Sequence, residues 1–128
     1  MQNIIGKVGT AETTVNDRNT ALAVGSGNLP VFSTPMMIAL MEQAACAALE
    51  GELEEGMTTV GTKISAEHLA ATVSGKITAT ATITAVDGRR IDFEVTATDN
   101  VGEIGHGTHS RFSVGTEKFM AKATERGQ

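Results

Sequence analysis

The stretch from Pro35 to Leu49 constrains this chain most. Pro35-Met36-Met37-Ile38-Ala39-Leu40-Met41 and Gln43-Ala44-Ala45-Cys46-Ala47-Ala48-Leu49 are apolar around nearly the whole circumference of a helix. A helix of that kind is one that protein surrounds. Glu42 interrupts it. An unpaired buried carboxylate is costly, so Glu42 requires a partner, a proton or a task. Perturbed groups of this kind collect at functional sites, and also in structural ion pairs.

The flanks delimit the helix. Thr34-Pro35 opens it, threonine as the N-cap and proline at the first helical position, and Gly51 and Gly56 bracket its end. Ahead of it, residues from about Lys7 to Val15 read as a first strand, followed by a loop holding Gly25, Gly27 and Pro30. Behind it the period changes from 3.6 to 2. Val60, Thr62, Ile64, Ala66 and His68 alternate with Gly61, Lys63, Ser65 and Glu67, and Ile77, Ala79, Ala81, Ile83 and Ala85 with a Thr-rich face. Asp87-Gly88 turns the chain into a return strand carrying Ile91, Phe93, Val95 and Ala97. Asp99-Asn100-Val101-Gly102 turns again into a strand from Ile104 to Val114, and Glu117 to Glu125 forms a short terminal helix.

One buried helix and about five mostly antiparallel strands make an α+β plan with the sheet covering the helix. The 128 residues carry no linker or repeat, so residues 1–128 read as a single domain. The sheet covers its helix on one side only, and the exposed edge and leftover apolar area predict a homodimer.

Composition removes several classes. The net charge of −5 gives no footprint for nucleic acid, and Trp and Tyr are absent. The helix, interrupted by Glu42, is too short for a membrane span, and the N-terminus has no basic segment followed by an apolar one. Cys46 is the single cysteine and makes no internal disulfide, so a reducing cytoplasm is the expected compartment. Flanked by alanines, it reads as a small apolar packing residue.

Thr34, Glu42 and His68 are the candidate catalytic residues. A helix N-terminus favours an oxyanionic group, Glu42 lies just over two turns further on, and His68 closes the strand carrying Val60 and Ile64. A hydroxyl, a carboxylate and an imidazole suit acyl transfer to water. Taken one at a time, Thr34 reads as a cap and His68 as a structural histidine, while Glu42 reads equally as a functional group and as half of an interface ion pair. His106 and His109 lie three apart on a strand and face opposite sides, so no metal site is expected. Gly102, Gly105 and Gly107 read as a strand passing close to other backbone, and the alanines of the helix as close packing on the sheet.

From about Lys7 to Arg126 the chain resembles the hotdog-fold acyl-CoA thioesterases, in the branch that includes fluoroacetyl-CoA thioesterase. The likeness is carried by Val31-Phe32-Ser33-Thr34, Gly61-Thr62, His68-Leu69-Ala70-Ala71-Thr72, Gly88-Arg89-Arg90, Glu103-Ile104-Gly105-His106-Gly107-Thr108-His109 and Glu117-Lys118-Phe119, in that order and spacing. The resemblance implies a hotdog fold, a homodimer with sites at its interface, and hydrolysis of an acyl-CoA to free acid and CoA without metal or redox cofactor. It places Thr34, Glu42 and His68 on the family's catalytic set, Gly61 on the glycine whose N–H faces the thioester oxygen, and Phe32 and Arg111 near the substrate. The fluoroacetyl-specific member has a phenylalanine-rich lid where this chain reads Gly27-Asn28-Leu29-Pro30, which implies that fluoroacetyl selectivity is absent. Val73 stands where the family often has proline. The phosphates of CoA need cations, for which Arg89, Arg90, Lys118 and Lys122 are available. The rival readings are an acyl-CoA hydratase or dehydratase on the same fold, and a non-catalytic acyl-CoA-binding module.

Overall fold

A computed structural model describes residues 2–127. After a 3-10 turn at Gln2–Ile4, the elements follow in the order β1 (Val8–Thr14), α1 (Ala21–Val24), α2 (Thr34–Ala48), β2 (Met57–His68), β3 (Lys76–Asp87), β4 (Arg90–Thr98), β5 (Glu103–Gly115) and α3 (Thr116–Arg126). The five strands form one sheet in the order β1-β3-β4-β5-β2, every neighbouring pair antiparallel. The α+β plan expected from the sequence is the one observed. β1 and β2 are the two edges.

The sheet curls around α2, whose Met37, Leu40, Met41, Ala44, Ala45 and Ala48 are buried against Ile77, Ala79, Ala81 and Ile83 of β3 and Ile91, Phe93, Val95 and Ala97 of β4. The period-2 reading of β3 and β4 holds as far as Ile83, where a bulge before Ala85 shifts the register. The alanines of α2 let its backbone sit against β1. A Cβ built on Gly9 would lie 2.2 Å from the Ala44 carbonyl oxygen and 2.2 Å from the Ala48 nitrogen, so only glycine fits. Gly105 and Gly107 likewise press on the backbone of β2, at Glu67 and Ser65, as expected, whereas Gly102 faces open space.

Three local readings are corrected. The loop before α2 contains the short helix α1, capped by Thr20. The N-cap of α2 is Ser33, whose Oγ accepts the Met36 N–H at 3.3 Å; Thr34 is the first helical residue and its hydroxyl is free for other use. In β2 a bulge between Gly61 and Lys63 inserts Thr62 and switches which side chains face inward. Thr59 and Gly61 face the interior before it, and Ile64, Ala66 and His68 after it, so the single alternation from Val60 to His68 does not run unbroken.

Gly9→Ala therefore forces α2 off β1 and destabilises the protein by about 2 kcal/mol or more, while Gly102→Ala changes stability by under ~0.5 kcal/mol. Urea denaturation of both variants checks the difference.

Candidate functional site

With Ser33 holding the Met36 amide, the Thr34 side chain points away from the helix end and meets His68. Thr34 Oγ1 lies 2.7 Å from His68 Nδ1. β2 ends at His68, and the next two backbone amides, Leu69 and Ala70, donate to the Ile104 carbonyl, which fixes where the strand stops. Desolvation by burial holds the His68 pKa below the usual histidine value, against a smaller opposing contribution from the Ala70 backbone. His68 is therefore a neutral imidazole at pH 7. Its Nε2 is buried with no hydrogen-bond partner among the described residues. The pair opens on a groove of about 250 Å³ lined by Val31, Phe32, Leu69, Ala70 and Ala71. Phe32, expected near the substrate, is 1% exposed and forms the wall of this groove from within the core.

Glu42 belongs to a second cluster. It lies eight residues beyond Thr34 on α2, about 12 Å along the axis. Its Oε2 sits 3.5 Å from Arg111 Nη1 and 3.8 Å from His109 Nε2. Arg111 is fixed by β2, its Nε donating to Thr59 Oγ1 at 2.9 Å and its Nη2 to the Thr59 carbonyl at 3.2 Å. The ion pair is open on one side, because the Glu42 side chain keeps 40% of its exposure while that of Arg111 keeps 9%.

His109 completes this cluster, and the sequence reading weighed it only as a metal ligand. Its Nδ1 is 2.7 Å from the Lys63 carbonyl oxygen, which can only accept, so Nδ1 carries the proton. Nε2 is then the acceptor, and Arg111 Nη1 donates to it at 3.2 Å. The ring stacks on Phe93 with centroids 5.8 Å apart. Desolvation by burial is the main cause that lowers the His109 pKa, the Arg111 charge adds to it, and the Lys63 carbonyl and Glu42 oppose it. By holding Lys63, His109 pins the bulge that turns Gly61 inward. A Cβ at Gly61 would lie 2.5 Å from Glu42 Oε2 and 3.3 Å from both Arg111 Nη1 and His109 Cε1, so the glycine gives the cluster its space. The signal for His109 was its i, i+2 spacing with Arg111, which puts both on one face of a strand.

His106, on the opposite face as expected, is exposed and bonded to Glu103 at 2.8 Å, which raises its pKa. Cys46, read as a packing residue, is exposed on α2.

Within one chain, then, the three candidate catalytic residues fall into two sets. Thr34 and His68 meet directly, whereas Glu42 sits with Gly61, Arg111 and His109. At the helix N-terminus, Ser33 engages the Met36 and Met37 amides and Pro35 has none, so Thr34 N–H is the first-turn donor left over among the described residues.

A model of the fluoroacetyl-CoA-specific thioesterase family matches residues 15–117. The fluoroacetyl-CoA thioesterase of Streptantibioticus cattleyicolor is 44% identical over 97 residues, covering 75% of this chain and 70% of that one. Among solved structures, a mutant fluoroacetyl-CoA thioesterase in complex with acetyl-CoA superposes with a TM-score of 0.90 at 35% identity, over 97% of this chain and 98% of the other. A thioesterase superfamily member from Thermus thermophilus gives 0.86 at 27% identity, over 95% and 93%.

The lowered pKa values of His68 and His109 fix the sign of a pH effect. Folded, both bind a proton more weakly than unfolded, so the unfolded state holds more protons below about pH 6.5. Their contribution to stability is present above that pH and is lost as pH falls through the folded values. His106 acts in the opposite sense but is solvated. His109→Gln should flatten the fall in stability between about pH 6.5 and 5, measured by urea unfolding across that range; an unchanged slope contradicts the assignment.

Proposed function

The chain belongs to the fluoroacetyl-CoA-specific thioesterase family, and from that premise we propose that it hydrolyses an acyl-CoA with Thr34, His68 and Glu42 as its reacting groups. The observation that carries this reading is the contact of Thr34 Oγ1 with a neutral His68 at 2.7 Å, beside an open groove.

The reading requires a homodimer. β2 is an edge strand of 12 residues, and Met36, Gln43 and Cys46 leave one side of α2 exposed. α2 and β2 each carry one member of both clusters, at opposite ends: Thr34 with His68, and Glu42 with Gly61. A two-fold axis that sets the α2 helices antiparallel brings Thr34 and His68 of one protomer against Glu42 and Gly61 of its partner. Each of the two sites is then composite, and Cys46 becomes covered. The single free cysteine fits a reducing cytoplasm, the compartment we propose.

In this arrangement the thioester carbonyl lies between the two clusters. Glu42 attacks it directly or removes a proton from the attacking water. Arg111 faces the carboxylate at 3.5 Å while donating to His109 Nε2. The Gly61 N–H, with the Thr34 N–H, faces the developing oxyanion. The Thr34–His68 pair delivers the proton that the departing thiolate needs, and one water is consumed for each acid and CoA released. The stretch Gly27-Asn28-Leu29-Pro30 holds no aromatic ring over the groove, and Leu29 is exposed. Short acyl groups with or without fluorine should therefore be hydrolysed alike.

Glu42→Ala, Thr34→Ala and His68→Ala should each lower kcat by about 10²- to 10⁴-fold in a thiol-release assay on acetyl-CoA. Mixing Thr34→Ala with Glu42→Ala chains distinguishes the geometry. A mixed dimer with composite sites has one intact site, so activity returns; sites built within one chain give no recovery. Saturable binding without CoA release from the unsubstituted protein would contradict hydrolysis itself.

A further inference from the structure

Four of the ten cations in this acidic chain are paired with carboxylates, and three of the others converge. Of the ten lysines and arginines, Lys7, Lys76, Arg90 and Arg111 pair with carboxylates. Among the described residues no ion pair holds Arg18, Lys63, Arg89, Lys118, Lys122 or Arg126. Three of these six, Arg89, Lys118 and Lys122, line a single groove of about 160 Å³ together with Phe119. Lys118 and Lys122 are four apart on α3 and share its face. Arg89 is brought there by the β3–β4 turn, where Gly88 adopts φ +62° and the Arg89 carbonyl accepts the Ser113 N–H at 2.8 Å. Phe119 keeps 39% of its surface exposed, beside the two lysines.

Three unpaired cations lining one concavity make a local positive patch, which favours an anionic ligand there. A half-exposed aromatic ring among them adds a surface on which a planar base stacks. We propose that this groove binds the phosphorylated adenosine end of CoA, with Arg89, Lys118 and Lys122 on the phosphates and Phe119 against the adenine. This rests on the acyl-CoA reading above. The groove lies at the rim where β5 leaves the sheet: Gly115, in its lining, is four residues beyond Arg111, roughly 13 Å along the strand, a gap that an extended pantetheine arm spans. Arg90, equally available in the sequence, is engaged by Asp87 and Asp92 and takes no part.

The test compares acetyl-CoA with S-acetyl-N-acetylcysteamine, which carries the same thioester without the nucleotide, on the unsubstituted protein and on the Arg89→Gln, Lys118→Gln, Lys122→Gln triple variant. KM for acetyl-CoA should rise about tenfold in the variant while kcat and all constants for the short thioester stay unchanged, which also reports intact folding. Raising salt should increase KM for acetyl-CoA in the unsubstituted protein and hardly at all in the variant. An unchanged KM for acetyl-CoA, or an equal change for both thioesters, overturns the proposal. Calorimetric titration with adenosine 3′,5′-bisphosphate separates this from failure of the hydrolase reading. Binding lost in the triple variant supports the groove even if neither thioester is cleaved, and binding retained overturns it.

Discussion

The interaction on which the rest of this structure depends is the ion pair of Glu42 with Arg111, whose guanidinium also donates to His109. An acid in the middle of an otherwise apolar helix is tolerable only with a counter-charge, and the counter-charge must itself be fixed. Arg111 is fixed by two hydrogen bonds to Thr59 on the neighbouring strand. His109 is fixed by the Lys63 carbonyl and by stacking on Phe93. Both depend on the bulge in β2, and the bulge is what presents Gly61, without a side chain, to the carboxylate. Helix, strand and bulge therefore form one unit: altering any of them leaves a half-buried charge poorly paired.

That unit also explains why the helix is so rich in alanine. The sheet must approach α2 closely along β1 to cover it, which Gly9 permits by sitting directly on the Ala44 and Ala48 backbone. Close contact on the β1 and β3 side leaves the β2 side of α2 uncovered. There the chain keeps its polar chemistry and its unpaired edge, so the surface left for the proposed second copy and the surface carrying the proposed reacting groups are the same. Glu42 is partly open to that side while remaining tied to Arg111.

Much of this was legible in the residues. The apolar circumference of α2, the alternation in β3 and β4, and the Asp87-Gly88 turn each follow from side-chain period and turn chemistry, and the structure reproduces them. What was not legible depends on contacts distant in sequence. The bulge between Gly61 and Lys63 is set by its pairing with Arg111 and Ser110 on β5, which no local pattern announces. His109 gains its place only once that pairing is known. The choice between Ser33 and Thr34 as the cap is a one-residue matter that two adjacent hydroxyls leave open, and it decides whether Thr34 is free to meet His68. The candidate triad was likewise nameable from the chain, but not its division into two clusters: eight residues on a helix correspond to nearly the same azimuth and yet to about 12 Å of separation.

The most direct measurement is a crystal structure with a ketone analogue of acetyl-CoA in which a methylene replaces the thioester sulfur. The account requires the analogue's carbonyl carbon about 3–3.5 Å from a Glu42 carboxylate oxygen of one protomer, with Thr34 and His68 of the other protomer on the same carbonyl group. A carbonyl seated against Thr34 and His68 with both Glu42 side chains out of reach, each still turned to its own Arg111, would contradict it.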